Sequence, residues 1–178
     1  MKEEGKKGCI QVYTGNGKGK TTAALGQALR AAGHGYKILI IQFAKGSPNY
    51  GEIKSSKMLT PYFKIEQYGL ESFIDKENPS KEDIELAKTG WDRALNAIIG
   101  NDYDMIILDE LNIALDFHLL DLKEVIEGLN KRNPAIDIVI TGRYAPAEII
   151  DIADTVSEMT LVKHHYYKGI QSREGIEY

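Results

Sequence analysis

A single cysteine, Cys9, excludes an intrachain disulfide, so the chain does not depend on an oxidising compartment. No stretch reaches the ~20 consecutive apolar residues that a membrane-spanning helix needs. The charged opening segment Met1–Lys7 has no apolar signal region. These two absences set the expectation of a cytoplasmic protein with no membrane partner. Positive charge is not in surplus either. There are 22 Lys and Arg against 26 Asp and Glu, and the net charge of −4 argues against broad electrostatic binding of nucleic acid. Internal repeats, low-complexity tracts and a Ser/His/Asp nucleophile pattern are all missing. What remains is an ordinary globular composition, 43% apolar and 27% charged over 178 residues, enough for one domain with a full core. Residues 1–7 read as a disordered tail and residues 8–178 as the domain. Cys9 borders an apolar run and reads as a small buried side chain rather than a nucleophile.

Short apolar runs alternate with helical patterns. Strands are predicted at Ile10–Tyr13, Lys37–Phe43, Phe63–Tyr68, Met105–Leu108, Ile136–Thr141 and Thr155–Val162. Helices are predicted from Lys20 to Ala32, ending at Gly33, and from Ser80 to about Gly100. Two more are predicted, one around Leu122–Leu129 and one opened by Pro146 at its first turn. This alternation implies an α/β fold with a mainly parallel sheet and helices on both faces. Ala44–Pro61 is the longest irregular stretch, and its breakers Gly46, Pro48, Gly51 and Pro61 suggest a mobile loop beside a site.

The most informative segment is Thr14-Gly15-Asn16-Gly17-Lys18-Gly19-Lys20-Thr21-Thr22, between a strand and a helix. Glycines allow a tight turn whose N–H groups converge on one anion-binding nest, and the helix adds its free N–H groups and positive dipole end. Gly15 to Thr22 therefore form a phosphate-binding P-loop, with Lys20 reaching the outer phosphates and the Thr21 hydroxyl placed for Mg²⁺. Thr14 stands where the usual pattern opens with glycine. The alternative, a glycine-rich hairpin turn, does not explain why Gly-Lys-Thr follows a strand and opens a helix.

Asp109 and Glu110 end an apolar strand. In an open parallel sheet ligands gather at the C-terminal strand ends, so one of the two carboxylates can hold the metal. The alternative is a pair of surface acids capping a helix. Arg143 also follows a strand, where it can contact phosphate or serve as an ordinary surface arginine. His164 and His165 are adjacent and on a strand would face opposite sides, which argues against a metal pair. His34 near a helix end reads as a cap.

Several segments together resemble the P-loop type of ATP:corrinoid adenosyltransferase, the enzymes that adenosylate cob(I)alamin or cob(I)yrinic acid a,c-diamide. They are the P-loop, Gln42–Gly46, Ile107–Leu111, Ile140–Arg143, Ala153–Glu158, Val162–His164 and Gly175–Tyr178. The resemblance runs from about Gly8 to Tyr178. It implies a RecA-like fold, usually a homodimer, that uses ATP with Mg²⁺ (or Mn²⁺) as an alkyl donor. A Co(I) corrinoid attacks the ribose C5′ carbon and triphosphate leaves, the nucleotide lying in the reverse sense relative to most P-loop proteins. The resemblance also implies a flavoprotein reductant as partner. It gives catalytic roles to Lys20, Arg143 and Phe73, the last as a wedge in Gly69–Ile74 that removes the lower axial ligand from Co(II). Some relatives carry an aromatic pair there; this chain has only Phe73 and no tryptophan in that segment. Read from its motifs without the resemblance, the chain would be a P-loop ATPase or small-molecule kinase.

Overall fold

The computed structural model describes residues 7–178. The expected disordered tail therefore lies outside the described residues, except for Lys7. Six strands form one sheet in the order β3-β2-β4-β5-β1-β6, and every neighbouring pair runs parallel. The strands are β1 (Ile10–Thr14), β2 (Ile38–Phe43), β3 (Phe63–Tyr68), β4 (Met105–Asp109), β5 (Asp137–Thr141) and β6 (Thr155–Glu158). Each hydrophobic run long enough to be read in the sequence became a strand. β2 shows why its run is unbroken. Leu39 and Ile41 enter one apolar layer, and Ile38 and Ile40 enter the other.

The two layers differ in character. On one face α3 (Lys81–Ile99), α4 (Leu111–Asp116), α5 (Leu122–Asn130) and α6 (Ala147–Asp151) enclose the larger cluster, including Trp91, Ile98, Val125 and Leu129. On the other face α1 (Lys20–Gly33) lays Ala24, Ala28 and Ala31 against the sheet. Side chains this small let the helix backbone approach the sheet closely. Its end matches the sequence reading: the His34 backbone N–H caps the Ala31 carbonyl at 3.0 Å.

α3 begins with a capping box. The Ser80 hydroxyl accepts from the Asp83 N–H at 3.1 Å, and the Asp83 carboxylate accepts from the Ser80 N–H at 3.1 Å. Ser80 is exposed, so Ser80→Ala creates no cavity and removes only the cap. Thermal unfolding should show a loss of about 1 kcal/mol with activity unchanged.

Several expectations need correction. Ala44–Pro61 is not a bare loop. It folds into α2 (Gly51–Ser56) and a 3-10 turn at Lys57–Leu59. Gly46, Pro48 and Pro61 flank the helix, and Gly51 is its first residue, so none interrupts it. Glu52 sits in the favourable first turn and accepts from Gln42 Nε2 at 3.2 Å, which ties α2 to β2. β6 stops at Glu158, not Val162, because the chain turns at Met159 to pack on the P-loop. Pro146 is the residue before α6 rather than its first-turn residue. Cys9 is half-buried rather than buried, lying between the buried Gly8 and Ile10. His164 and His165 are not on a strand. The chain makes a 3-10 turn at His165–Lys168, and the two rings lie 4.5 Å apart.

Candidate active site

The P-loop joins β1 to α1 at the C-terminal edge of the sheet. Gly19 precedes the helix with φ 119, a left-handed conformation in which a side chain would be strained. Gly17 is needed for a different reason: a Cβ there would lie 2.6 Å from the Met159 carbonyl oxygen. Lys20 is buried, and its amine donates at 2.8 Å to the carbonyls of both Gly15 and Gly17. Burial holds that amine below the ordinary lysine value, with Glu110 pulling the other way.

Asp109 links four elements. It is 1% exposed and accepts four hydrogen bonds, which fill both carboxylate oxygens. Oδ1 receives the Thr21 hydroxyl from α1 at 2.9 Å and the Thr141 hydroxyl from β5 at 2.7 Å. Oδ2 receives the Lys45 amine at 2.7 Å and Gln42 Nε2 from β2 at 3.1 Å. Burial alone would push this carboxyl up. The Lys45 charge beside it, with the Thr141 and Thr21 hydroxyls, brings it below the ordinary value. Lys45 responds in kind: its burial penalty is outweighed by Asp109, so its amine sits above the usual lysine value.

Glu110 adopts φ 60, a conformation that costs a non-glycine residue about 1–2 kcal/mol. It is half-buried and is not one of the hydrogen-bond partners of Asp109. Burial, and then the Asp109 charge, raise its carboxyl above the ordinary glutamate value. Two acids with opposed shifts therefore stand side by side, one saturated with donors and one lacking them.

Two hollows meet here. A small one of about 230 Å³ lies over Gly17–Thr22. A larger open one of about 660 Å³ is walled by Leu70, Phe73, Ile74, Phe117 and Tyr144. Glu110 and Arg143 line both. Arg143 is exposed, and its loop is pinned by Asn112 Nδ2, which donates to the Gly142 carbonyl at 3.1 Å. Phe73 is fully exposed on the rim of the larger hollow, so it is not a core residue.

Residues 6–178 match the model of the family described as ATP:corrinoid adenosyltransferase BtuR/CobO/CobP. The chain belongs to the ATP:corrinoid adenosyltransferase family. The activity of the chain is that of the family, adenosylation of a corrinoid with ATP in cobalamin biosynthesis or salvage. The corrinoid adenosyltransferase of Escherichia coli (strain K12) is 38% identical over 172 residues, 97% of this chain and 86% of that protein. The corrinoid adenosyltransferase of Pseudomonas aeruginosa is 37% identical over 172 residues, 97% of this chain and 84% of that protein. The corrinoid adenosyltransferase CobA of Salmonella typhimurium is 38% identical, again covering 97% of this chain and 86% of that one. Among solved structures, the KaiC-like protein PH0186 from Pyrococcus horikoshii OT3 superimposes with a TM-score of 0.52 at 17% identity, over 89% of this chain and 75% of that one. That likeness shows the P-loop NTPase fold alone.

For a corrinoid adenosyltransferase, the structure brings most of the sequence-predicted site together. Gly15 to Thr22, Asp109, Glu110 and Arg143 converge on one edge, and Phe73 stands on the adjoining rim. Asn16, Lys18 and Thr22 are exposed. Sequence reasoning assigned no role to Gln42, Lys45 or Thr141. The signal for Gln42 was present: it is the one amide in the all-buried run Ile38–Phe43, and a buried polar side chain needs a partner. The hollow over the P-loop is also lined by His164, Ile176 and Glu177, which lie in segments that resemble the family but to which the sequence reading assigned no role. No helix among the described residues is long and apolar enough to cross a membrane.

Proposed function

We propose that the triphosphate of ATP is bound by the P-loop Gly15–Thr22, in the small hollow over Gly17–Thr22, while the ribose passes between Glu110 and Arg143 to meet the corrinoid in the larger one. The observation that carries this reading is the shared wall: Glu110 and Arg143 belong to both hollows. The apolar lining of the larger hollow suits a macrocycle, and the amines and N–H groups of the smaller one suit a polyanion. The electron pair of the Co(I) substrate forms the cobalt–carbon bond as the C5′–oxygen bond breaks, and the electron pair of that broken bond leaves on the oxygen of triphosphate. The nucleophile comes with the substrate, so the chain needs no general base. Its task is electrostatic: Lys18, Lys20, Arg143 and the loop N–H groups stabilise charge growing on the leaving group.

The oxygen donors Thr21, Asp109 and Glu110 are a chemically suitable set for Mg²⁺ or Mn²⁺. Among the described residues no group of three or more His, Cys, Asp or Glu side chains could hold a metal ion. The remaining ligands would come from the nucleotide. The raised Glu110 carboxyl supports this fit, since a cation would relieve the repulsion from Asp109. When bound, the ion would supply Lewis-acid neutralisation of the phosphates. Asp109 already accepts from Thr21 and Lys45, so it orients Thr21 at rest and meets a cation through that hydroxyl or through water. The reading extends to a homodimer in the cytoplasm, with a flavoprotein delivering the electron that takes Co(II) to Co(I).

Incubating the protein with ATP and chemically reduced cobalamin tests the reaction. Triphosphate and an alkylated corrinoid are expected in equal amounts. ADP as the phosphate product would favour phosphoryl transfer instead.

Glu110→Gln should move the Mg²⁺ activation midpoint to roughly tenfold higher concentration. Its stability should change with pH in a defined direction. The folded carboxyl binds its proton more readily than the unfolded one, so it contributes stability at acid pH that is lost as pH rises through the raised value. The Gln variant should therefore melt higher than the parent at pH 7, with the difference gone below about pH 4.

Phe73→Ala separates two steps. The side chain is fully exposed, so the melting temperature should stay put. Activity should fall when the assay starts from Co(II) with a mild enzymatic reductant, and much less when Co(I) is supplied ready-made. Equal losses in both assays would remove Phe73 from the axial-ligand role.

A further inference from the structure

We propose that Lys76 is a positioning residue, whose ammonium clasps the segment carrying Phe73 to the far wall of the larger hollow and so holds the phenyl ring at the corrinoid site. The inference rests on the reading of Phe73 as the residue that excludes the lower axial ligand. It concerns what keeps an exposed ring in place to do so.

Phe73 lies between β3 and α3, in a stretch with no helix or strand of its own. Its entry is fixed by backbone packing, since a Cβ on Gly69 would collide with the backbone nitrogen of Lys45. Its exit is fixed by the capping box at Ser80. In between, among the described residues, none from Leu70 to Ile74 makes a hydrogen bond. Ile74 has an apolar foothold on the larger cluster, while Phe73 beside it is fully exposed. A ring on such a backbone samples many positions, and it excludes an axial ligand only from those that cover the cobalt.

Lys76 supplies the missing tie. Its amine donates to Asp116 Oδ2 at 2.8 Å, at the end of α4. The same amine lies 5.7 Å from the ring centre of Phe117 and 5.7 Å from that of Tyr144. A carboxylate and two aromatic rings thus converge on one ammonium. Tyr144 follows Arg143 and is held at φ 58, a left-handed conformation unusual for so bulky a residue. The clasp therefore joins the Phe73 segment, the end of α4 and the turn that carries Arg143, all of which wall the larger hollow. Lys76 follows Phe73 closely in the chain, so a tether there limits the reach of the ring without touching it. The pair is half-exposed and adds little to global stability. A weak tie suffices, because it only has to bias one loop among its own alternatives.

Lys76→Met removes the charge and keeps the length, whereas Lys76→Arg keeps both the charge and the ring contacts. Chymotrypsin cleavage of the folded protein after Phe73, followed by mass spectrometry, reports the freedom of the segment without any corrinoid. Cleavage should be several-fold faster in Lys76→Met and in Asp116→Asn, and near the parent rate in Lys76→Arg. Melting temperatures should stay put in all three. In the assay that starts from Co(II), kcat/KM should fall roughly tenfold in Lys76→Met and Asp116→Asn, and much less when Co(I) is supplied ready-made. Lys76→Arg should restore the Co(II) activity. The double variant should be no worse than either single one, because the two side chains act through one contact. Additive losses would make Lys76 a direct corrinoid contact and overturn the inference. Cleavage at the parent rate in both charge-removing variants would overturn it too. Failure of the Phe73 reading looks different: Phe73→Ala would then lose no more activity from Co(II) than from Co(I), while faster cleavage still reported the clasp.

Discussion

Lys20→Ala should lower adenosylation by roughly 10²–10³-fold, the usual cost of removing one donor that stabilises charge in a transition state. The loss should appear in kcat as well as in ATP affinity, because the charge it meets grows as triphosphate departs. The fold should survive. In the resting protein the amine donates to the Gly15 and Gly17 carbonyls within the loop, and Gly17 borders the phosphate hollow, where water can take the amine's place once it is gone. Lys20→Arg should not rescue activity, since a forked guanidinium cannot occupy the place of a compact ammonium in so tight a loop. Steady-state turnover within a few-fold of the parent by a folded Lys20→Ala protein would remove this lysine from the mechanism.

Asp109→Asn should behave quite differently from Glu110→Gln, although the two acids are neighbours. Asp109 is fully enclosed and its charge answers the partly buried Lys45 amine at 2.7 Å. An asparagine keeps the shape but turns an N–H₂ toward at least one of the donors and leaves the lysine without its counter-ion. Breaking a buried pair from one side costs about 3–5 kcal/mol, which corresponds to a fall in melting temperature on the order of 10 °C for a chain of this length. The pH dependence checks the cause. The folded carboxyl lies below its unfolded value, so its contribution is full above about pH 4 and is lost as pH falls through the depressed value. The gap between parent and variant should therefore narrow in acid. A variant as stable as the parent at pH 7 would mean that Lys45 finds another partner.

The sheet was legible because its strands are buried on both faces, and a run such as Ile38–Phe43 has no other economical reading. The P-loop was legible because local chemistry defines it: glycines, lysine and threonine at fixed spacing. α2 was hidden by its length and by the breakers around it, since six residues carry too little periodicity to register. The Asp109 network was hidden for another reason. Gln42, Lys45, Thr21 and Thr141 come from three parts of the chain far apart in sequence, and only the parallel register of β2, β4 and β5 brings them to one carboxylate. The sequence named the acid without showing that its oxygens were already engaged. The shared wall between the two hollows was similarly a matter of topology: Glu110 and Arg143 follow adjacent strands.

The alanine face of α1 bears on how this enzyme could be altered. The helix that carries Lys20 and Thr21 rests on the sheet through the buried Ala24, Ala28 and Ala31, with Leu25 packed at the edge of the same cluster. A larger residue at Ala24 or Ala28 would lift the helix, and the phosphate-binding N–H groups at its start would move with it. A shift of about 1 Å in a reacting group can cost 10²-fold in rate. The layer behind the P-loop thus works as a reference surface for the catalytic loop, and it is a poor place to seek stability by filling space. Thermostable variants of this chain should be sought on the opposite face, where the large side chains around Trp91 can repack without disturbing the bound nucleotide.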